Sequence, residues 1–71
     1  MTINTSNYEF THGRKPRGKG YWAFRFQKDM ADGTADESVV FAPGDMKYAE
    51  AKRWAIQVAK ANGVSRVAVA T

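Results

Sequence analysis

The sequence predicts an α+β fold in which one helix packs on one face of an antiparallel sheet of three or four strands. Short stretches of alternating polar and apolar residues, typical of strands, come first along the chain. A longer stretch with apolar residues three and four positions apart, typical of a helix, follows them. A last alternating stretch closes the chain, which gives the element order β-β-β-α-β.

Three strands are expected before the helix. The first covers residues 8–10, and the second covers residues 21–26, the clearest strand pattern in the chain. The third covers residues 38–42, which are rich in β-branched and aromatic side chains. A glycine-rich loop over residues 11–20 separates the first two strands, and the Asp-Gly pair at 32–33 favours a hairpin between the second and the third.

The second strand indicates where the core lies. Because side chains alternate between the two faces of a sheet, Trp22, Phe24 and Phe26 share one face. Tyr21 and Arg25 share the other face. We expect the three aromatic side chains to meet the helix, and the opposite face to be left to solvent or to a partner.

The helix is expected over residues 46–62. Asp45 is a candidate N-cap, because its carboxylate can accept hydrogen bonds from the free amides of the first turn, and Gly63 should end the helix. The apolar stripe is rich in alanine, which allows the helix to lie close to a sheet. The stripe consists of Tyr48, Ala51, Trp54, Ala55, Val58 and Ala59.

The two ends of the chain lead to different predictions. Residues 65–70 alternate again, with Val67 and Val69 on one side, and are expected to add a fourth strand whose place in the sheet is open. Residues 1–7 are expected to be disordered or frayed. With 71 residues, the chain has room for a single domain, residues 1–71.

Composition argues against several classes of protein. The chain has no cysteine and one histidine, so we expect no disulfide, no thiolate chemistry, no metal site and no cofactor. No apolar stretch approaches the length of a membrane span, and the first ten residues lack the apolar core of a signal peptide. We therefore expect a cytoplasmic protein.

The charges are unevenly distributed, although the net charge is only +4. Residues 1–28 carry six basic side chains and one acidic one, and residues 29–50 carry one basic and six acidic ones. Residues 51–71 carry four basic side chains and no acidic one. Such blocks create a directional electrostatic field that can steer a charged partner.

Catalytic motifs are lacking, and we expect no enzymatic activity. The sequence contains no nucleophile elbow, no paired histidine and serine, and no phosphate-binding glycine motif in the right context. His12 lies in a basic loop and is interpreted as a surface residue. The acidic residues between positions 29 and 37 lack the spacing of a calcium-binding loop and are interpreted as a solvated hairpin.

One cluster indicates a binding function, namely four basic residues immediately before an aromatic strand. Cations in a glycine-rich loop can follow a phosphate backbone, and a tyrosine or a planar guanidinium can stack on bases or read them. The chain is therefore predicted to bind nucleic acid, DNA before RNA. The candidate residues are Arg14, Lys15, Arg17, Lys19, Tyr21, Arg25 and Gln27.

Two alternatives stay open. The cations can simply keep a small domain in solution, with Tyr21 half-buried in the sheet. The chain can also be a protein-interaction or accessory module that binds a partner through an exposed sheet edge or through a patch around Trp54. The charge blocks would then set the orientation of that partner.

The chain presents, in order, a basic loop, the strand GYWAFRF, an acidic hairpin, a third strand and the helix YAEAKRWAIQVA. This order resembles the three-strand-plus-helix DNA-binding domain of AP2-type proteins and of the amino-terminal arm-binding domains of tyrosine integrases, over roughly residues 8–62. The resemblance implies a sheet that lies in the major groove of DNA with the helix behind it. By position, the residues that this resemblance places on or near the DNA-facing side are Arg14, Arg17, Tyr21, Arg25 and Gln27. The added C-terminal strand and the long acidic loop depart from the family pattern.

Overall fold

The computed structural model describes residues 2–70 and shows an α+β fold, as the sequence predicts. Within these residues the chain forms β1 (Ile3–Asn4), α1 (Ser6–His12), β2 (Lys19–Gly20), β3 (Ala23–Asp29), β4 (Ala35–Phe41), β5 (Met46–Lys47), α2 (Tyr48–Ala61) and β6 (Arg66–Val69). Four strands form a mixed sheet in the order β1-β6-β3-β4, and β2 and β5 form a separate two-stranded ribbon.

The main sheet is built around β3 and β6. β3 pairs antiparallel with β4 along its whole length, from Ala23 opposite Phe41 to Asp29 opposite Ala35. On its other side β3 pairs antiparallel with β6, which in turn pairs parallel with β1. The predicted C-terminal strand is therefore confirmed, and it is an interior strand with a partner on each side.

The core lies between α2 and one face of this sheet. Phe24 is fully buried, and Trp22 and Phe26 are buried beside it on the same face, as the alternation predicts. The helix contributes three fully buried alanines, Ala51, Ala55 and Ala59. Tyr48, Trp54 and Val58 pack partly buried against this core, so the predicted stripe is confirmed.

The first predicted strand is wrong, because residues 8–10 belong to helix α1. Tyr8 is buried against Trp22 and stacks on His12 four residues later, with 4.2 Å between the ring centroids. Phe10 lies on another side of the helix and is 90% exposed. Three alternating residues are too few to distinguish a strand from one turn of helix. The packing of Tyr8 against the core, which the local pattern does not reveal, distinguishes them.

Residues 2–7 are not frayed, which corrects the expectation for this end of the chain. Ile3 pairs with Val67 and is buried in the core, and Asn4 pairs with Ala68. The side chain of Asn4 also accepts a hydrogen bond from the amide of Ser6 at 2.9 Å, just where α1 begins. Met1 lies outside the described residues.

Helix α2 begins at Tyr48, two residues later than predicted, and Asp45 does not cap it. β5 directly precedes the helix and is held extended by its pairing with β2. Lys47 occupies the N-cap position without a side-chain cap, and the amide of Tyr48 donates instead to the carbonyl of Gly18 at 2.9 Å. The basic loop thus satisfies a free amide at the start of the helix.

The predicted hairpin and the predicted end of α2 are both confirmed. The amide of Met30 donates to the carbonyl of Thr34 at 2.8 Å, and Gly33 has a φ of +88°. The hydroxyl and the amide of Thr34 both donate to Asp32, which lowers the pKa of that carboxyl. Gly63 follows α2 with a φ of +68°, a conformation that favours glycine.

Neither α1 nor α2, the helices found between residues 2 and 70, combines the length and the hydropathy that a helix needs to cross a bilayer.

Candidate nucleic-acid interface

The basic loop is fastened to the core close to its cations. Pro16 is buried, although its neighbours in sequence are exposed. The carbonyl of Gly18 accepts hydrogen bonds from the indole Nε1 of Trp22 at 3.2 Å and from the amide of Tyr48. The backbone of the loop is therefore held against the start of α2, and the charged side chains of the loop extend from it.

The four predicted loop cations all lie on the surface. They are Arg14, Lys15, Arg17 and Lys19. Two ion pairs occur in the described part of the chain, and both involve other cations, Arg25 and Arg66. The loop cations thus have no carboxylate of residues 2–70 within ion-pair distance and are free to meet an anion.

A shallow depression of about 360 Å³ lies at the amino end of α2 and is bordered by Arg17, Lys19 and Lys47. Lys19 and Lys47 are direct cross-strand partners in the ribbon. Like charges directly opposite each other destabilise a strand pair, and the amino end of a helix adds partial positive charge. The depression is therefore bordered by three cationic side chains at the amino end of a helix.

Lys47 was missed by the sequence analysis. It comes two residues after Asp45 and falls within the predicted helix, so the sequence around it is that of an ordinary solvent-exposed helical residue. Only the pairing of β2 with β5 brings it beside the loop.

Tyr21 stands between the ribbon and β3, and its side chain is 79% exposed. The alternative in which Tyr21 is half-buried in the sheet is therefore wrong. An exposed ring next to a set of free cations is a suitable surface for base stacking.

The face of the main sheet opposite α2, which we call the open face, carries the remaining candidates. Across the four strands one row consists of Asn4, Ala68, Arg25 and Val39, in register. Paired residues point to the same side of a sheet, so these side chains share the open face. The neighbouring row contains Arg66, Gln27 and Glu37.

Glu37 contacts two of the predicted binding residues. Its Oε1 lies 2.9 Å from Nε of Arg25, and its Oε2 accepts a hydrogen bond from Nε2 of Gln27 at 3.1 Å. Nearly half of each side chain in the ion pair is exposed. An exposed pair of this kind contributes at most about 1 kcal/mol to stability, so a ligand can displace it.

A groove of about 610 Å³ lies on the open face beside Arg25. Its polar side chains come from β1, α1, β3, β6 and the residues next to them. They are Thr2, Asn4, Asn7, Arg25, Gln27, Ser65 and Arg66. Guanidinium and carboxamide groups are the side chains that read base edges. Five of these seven residues were missed by the sequence analysis, because only the pairing of distant strands brings them together.

Phe41 is a further residue that the sequence analysis missed. It lies opposite Ala23 at the end of β4 and is 71% exposed, and Val39 two residues earlier is 49% exposed. The alternation in β4 indicates which of its residues share a face. It does not indicate which of the two faces stays uncovered.

Trp54, the centre of the alternative protein-binding patch, is half-buried. Its ring centroid lies 6.5 Å from that of Phe24, so one side of the indole closes the core. Its other side borders a shallow surface with Glu50 and Arg53. These contacts support the interpretation of Trp54 as a flank of the core.

The site offers few groups for acid-base or metal chemistry. Burial raises the pKa of Tyr48, whose ring packs edge-on against Trp22 at 4.9 Å, so this phenol stays neutral as part of the core. Between Thr2 and Ala70, no three side chains of histidine, aspartate or glutamate lie close enough together to hold a metal ion.

A scan against protein-family models and searches of curated proteins and of solved structures found no match to this chain. Its function is therefore inferred from the residues and their geometry.

Proposed function

We propose that this chain is a small, non-catalytic, cytoplasmic module that binds nucleic acid, DNA before RNA. The observation that carries the proposal is the cation cluster at the amino end of α2. Arg17, Lys19 and Lys47 border one depression, and no carboxylate of the described residues forms an ion pair with them. Mutual repulsion raises the free energy of this arrangement, and a phosphate placed in the depression would relieve it.

Tyr21 joins the loop to the open face along the chain. It lies two residues before β3, and Arg25 and Gln27 follow within that strand. At about 3.3 Å per residue, the distance from Tyr21 to Gln27 is roughly 20 Å. A nucleic acid whose phosphates are held by the loop cations would therefore pass its bases by Tyr21 towards Arg25. The phosphate contacts would position the strand, and the other side chains would contact its bases.

The resemblance to AP2-type and tyrosine-integrase DNA-binding domains leads to the same class of ligand and stays a prediction. The structure changes its details, because α1 takes the place of the first predicted strand. An antiparallel three-stranded unit is present nevertheless, with β3 between β4 and β6.

The experiment that tests the proposal is a binding titration at several salt concentrations. The longest dimension of the molecule is 38 Å, which corresponds to about 11 steps of 3.4 Å and so to about 12 base pairs of duplex DNA. We would therefore measure fluorescence anisotropy of labelled 12-mers as duplex DNA, single-stranded DNA and RNA. Each phosphate contact should add about 0.9 to the slope of log K against log salt for duplex DNA, and about 0.7 for single strands.

A four-site loop variant shows whether the proposed cations are responsible. It carries Arg14→Gln, Lys15→Gln, Arg17→Gln and Lys19→Gln and should lose nearly all affinity, with a flatter salt slope. The matched control carries Lys28→Gln, Lys52→Gln, Arg53→Gln and Lys60→Gln, which removes the same charge from other exposed positions. Equal losses in the two variants, or no salt-dependent binding by the unmodified protein, would contradict the proposal.

A second candidate function, docking of a protein partner, is favoured by β4. This strand is an edge of the sheet, seven residues long, and presents Val39 and Phe41 to solvent. An exposed edge offers unpaired amide and carbonyl groups to another strand. If the unmodified protein binds none of the three nucleic acids at low salt, this candidate takes first place.

A further inference from the structure

Three exposed apolar side chains lie near the beginning of β3 and the end of β4. They are Tyr21, Val39 and Phe41, which we call the stacking patch. Single exposed apolar residues are common on protein surfaces. Here Val39 and Phe41 alternate along β4 on the open face, and Tyr21 precedes by two residues Ala23, the cross-strand partner of Phe41.

The stacking patch adjoins groups that can read a base. Arg25 pairs with Val39, so Arg25 and Phe41 are diagonal neighbours on two adjacent strands. Diagonal neighbours lie about 7–8 Å apart, a distance that long and aromatic side chains can bridge. A base stacked on Phe41 would therefore have its edge within reach of the guanidinium.

The groove beside Arg25 is large enough to admit an unpaired base and carries side chains that can read its edge. Its volume of about 610 Å³ falls within the range of pockets that hold small ligands. Asn4, Asn7 and Gln27 offer carboxamides, which can donate and accept, and Arg66 offers a second guanidinium. A base can enter such a groove only when its hydrogen-bonding edge is not already paired.

We propose that the open face binds single-stranded nucleic acid. This inference rests on the proposed function and names its ligand class. Bases stack on Phe41 and Tyr21, the groove reads the edge of a neighbouring base, and the loop cations hold the phosphates. A duplex does not offer these contacts in its interior, because each of its bases is paired and stacked between other bases.

The test compares 12-mers of equal length by fluorescence anisotropy. The ligands are single-stranded DNA, single-stranded RNA, duplex DNA and an abasic DNA strand that keeps the phosphates but has no bases. The protein should bind the two single strands with bases more tightly than the duplex or the abasic strand. The abasic strand isolates the contribution of the bases from that of the phosphates.

Two point variants locate the stacking surface. Phe41→Ala and Tyr21→Ala should each weaken single-strand binding by about 5- to 150-fold, since stacking on an aromatic side chain contributes about 1–3 kcal/mol per base. The salt slope should stay unchanged, because no phosphate contact is lost. The control is Phe10→Ala, which removes an even more exposed ring from α1 and should leave affinity unchanged. Amide NMR spectra confirm that each variant keeps its fold.

The outcomes separate this inference from the proposed function. Tighter binding of the strands with bases, together with losses in Phe41→Ala and Tyr21→Ala alone, supports single-strand recognition. If the duplex or the abasic strand binds with the same affinity as the single strands with bases, the inference is overturned and the proposed function stands. The same holds if Phe41→Ala changes the affinity no more than Phe10→Ala does. Absence of binding to all four ligands overturns both and assigns the stacking patch to a protein partner.

Discussion

Glu37 is the residue at which the acidic hairpin meets the candidate interface. Its carboxylate contacts Arg25 and Gln27 at the same time, so each side chain already has one partner within the protein. Under the proposed function, a nucleic acid that takes these donor groups would displace Glu37. The carboxylate would then lower the affinity and favour ligands that offer an acceptor in its place.

Replacing Glu37 tests this competition. Glu37→Gln should tighten binding to the preferred nucleic acid by up to about fivefold, since an exposed ion pair contributes up to about 1 kcal/mol. The stability measured by urea unfolding should change by less than about 1 kcal/mol. The control is Asp36→Asn, which makes the same change of charge one residue away on the opposite face of β4. If Asp36→Asn tightens binding equally, net charge alone explains the effect.

A second prediction about a single residue concerns Phe24 in the core. It is fully buried between α2 and the sheet, so Phe24→Ala should lower the free energy of unfolding by ~3–5 kcal/mol. A loss of this size would unfold much of a small domain. Urea unfolding followed by tryptophan fluorescence measures it, with Phe10→Ala as the exposed counterpart. An unchanged midpoint for Phe24→Ala would contradict the described packing.

At the scale of elements, the position of β6 leads to a prediction about the C-terminus. Because β6 has a partner on each side, deleting residues 66–71 should remove the link between β1 and β3 and prevent cooperative folding. Val67→Ala, at a buried position, should cost roughly 2 kcal/mol. Arg66→Ala, at an exposed one, should cost less than about 1 kcal/mol. Circular dichroism with thermal unfolding distinguishes these cases, and a truncated chain that folds normally would show that β6 adds little.

The elements that could be predicted from the sequence are those whose pattern is long. Trp22, Phe24 and Phe26 alternate beside a long apolar stripe, and both patterns agree with the burial in the structure. The hairpin turn and Gly63 were also predictable, because each position needs a conformation that glycine adopts easily.

The remaining elements depend on contacts between distant parts of the chain. Ile3 pairs with Val67, so β1 is held in the sheet by a strand that is distant in sequence. Helix α2 begins later than the sequence predicts, because pairing with β2 holds Met46 and Lys47 in an extended conformation. For the same reason the groove could not be predicted, whereas the loop cations and Tyr21 were visible as a local cluster.

At the scale of the whole molecule, the charges are separated along β3. The basic loop lies near the beginning of this strand, and the acidic hairpin follows its end, in a molecule 38 Å long. A polyanion is therefore attracted to the loop and repelled by the hairpin. Under the proposed function, this field would direct a bound strand from the loop towards Tyr21 and Arg25.

The most direct test of this account is a map of amide chemical shifts in the ¹⁵N-labelled protein at low salt, with and without an unlabelled 12-mer of single-stranded DNA. We expect changes at residues 13–19, Tyr21, Arg25, Phe41 and Lys47, and a change in the Nε–H signal of Arg25 as Glu37 is displaced. The hairpin at residues 30–34 and the exposed side of α2 beyond its first turn should stay unchanged. A protein that shows no change in the loop, at Tyr21 and at Arg25, with the single strand or with duplex DNA, would contradict the proposal that this chain binds nucleic acid.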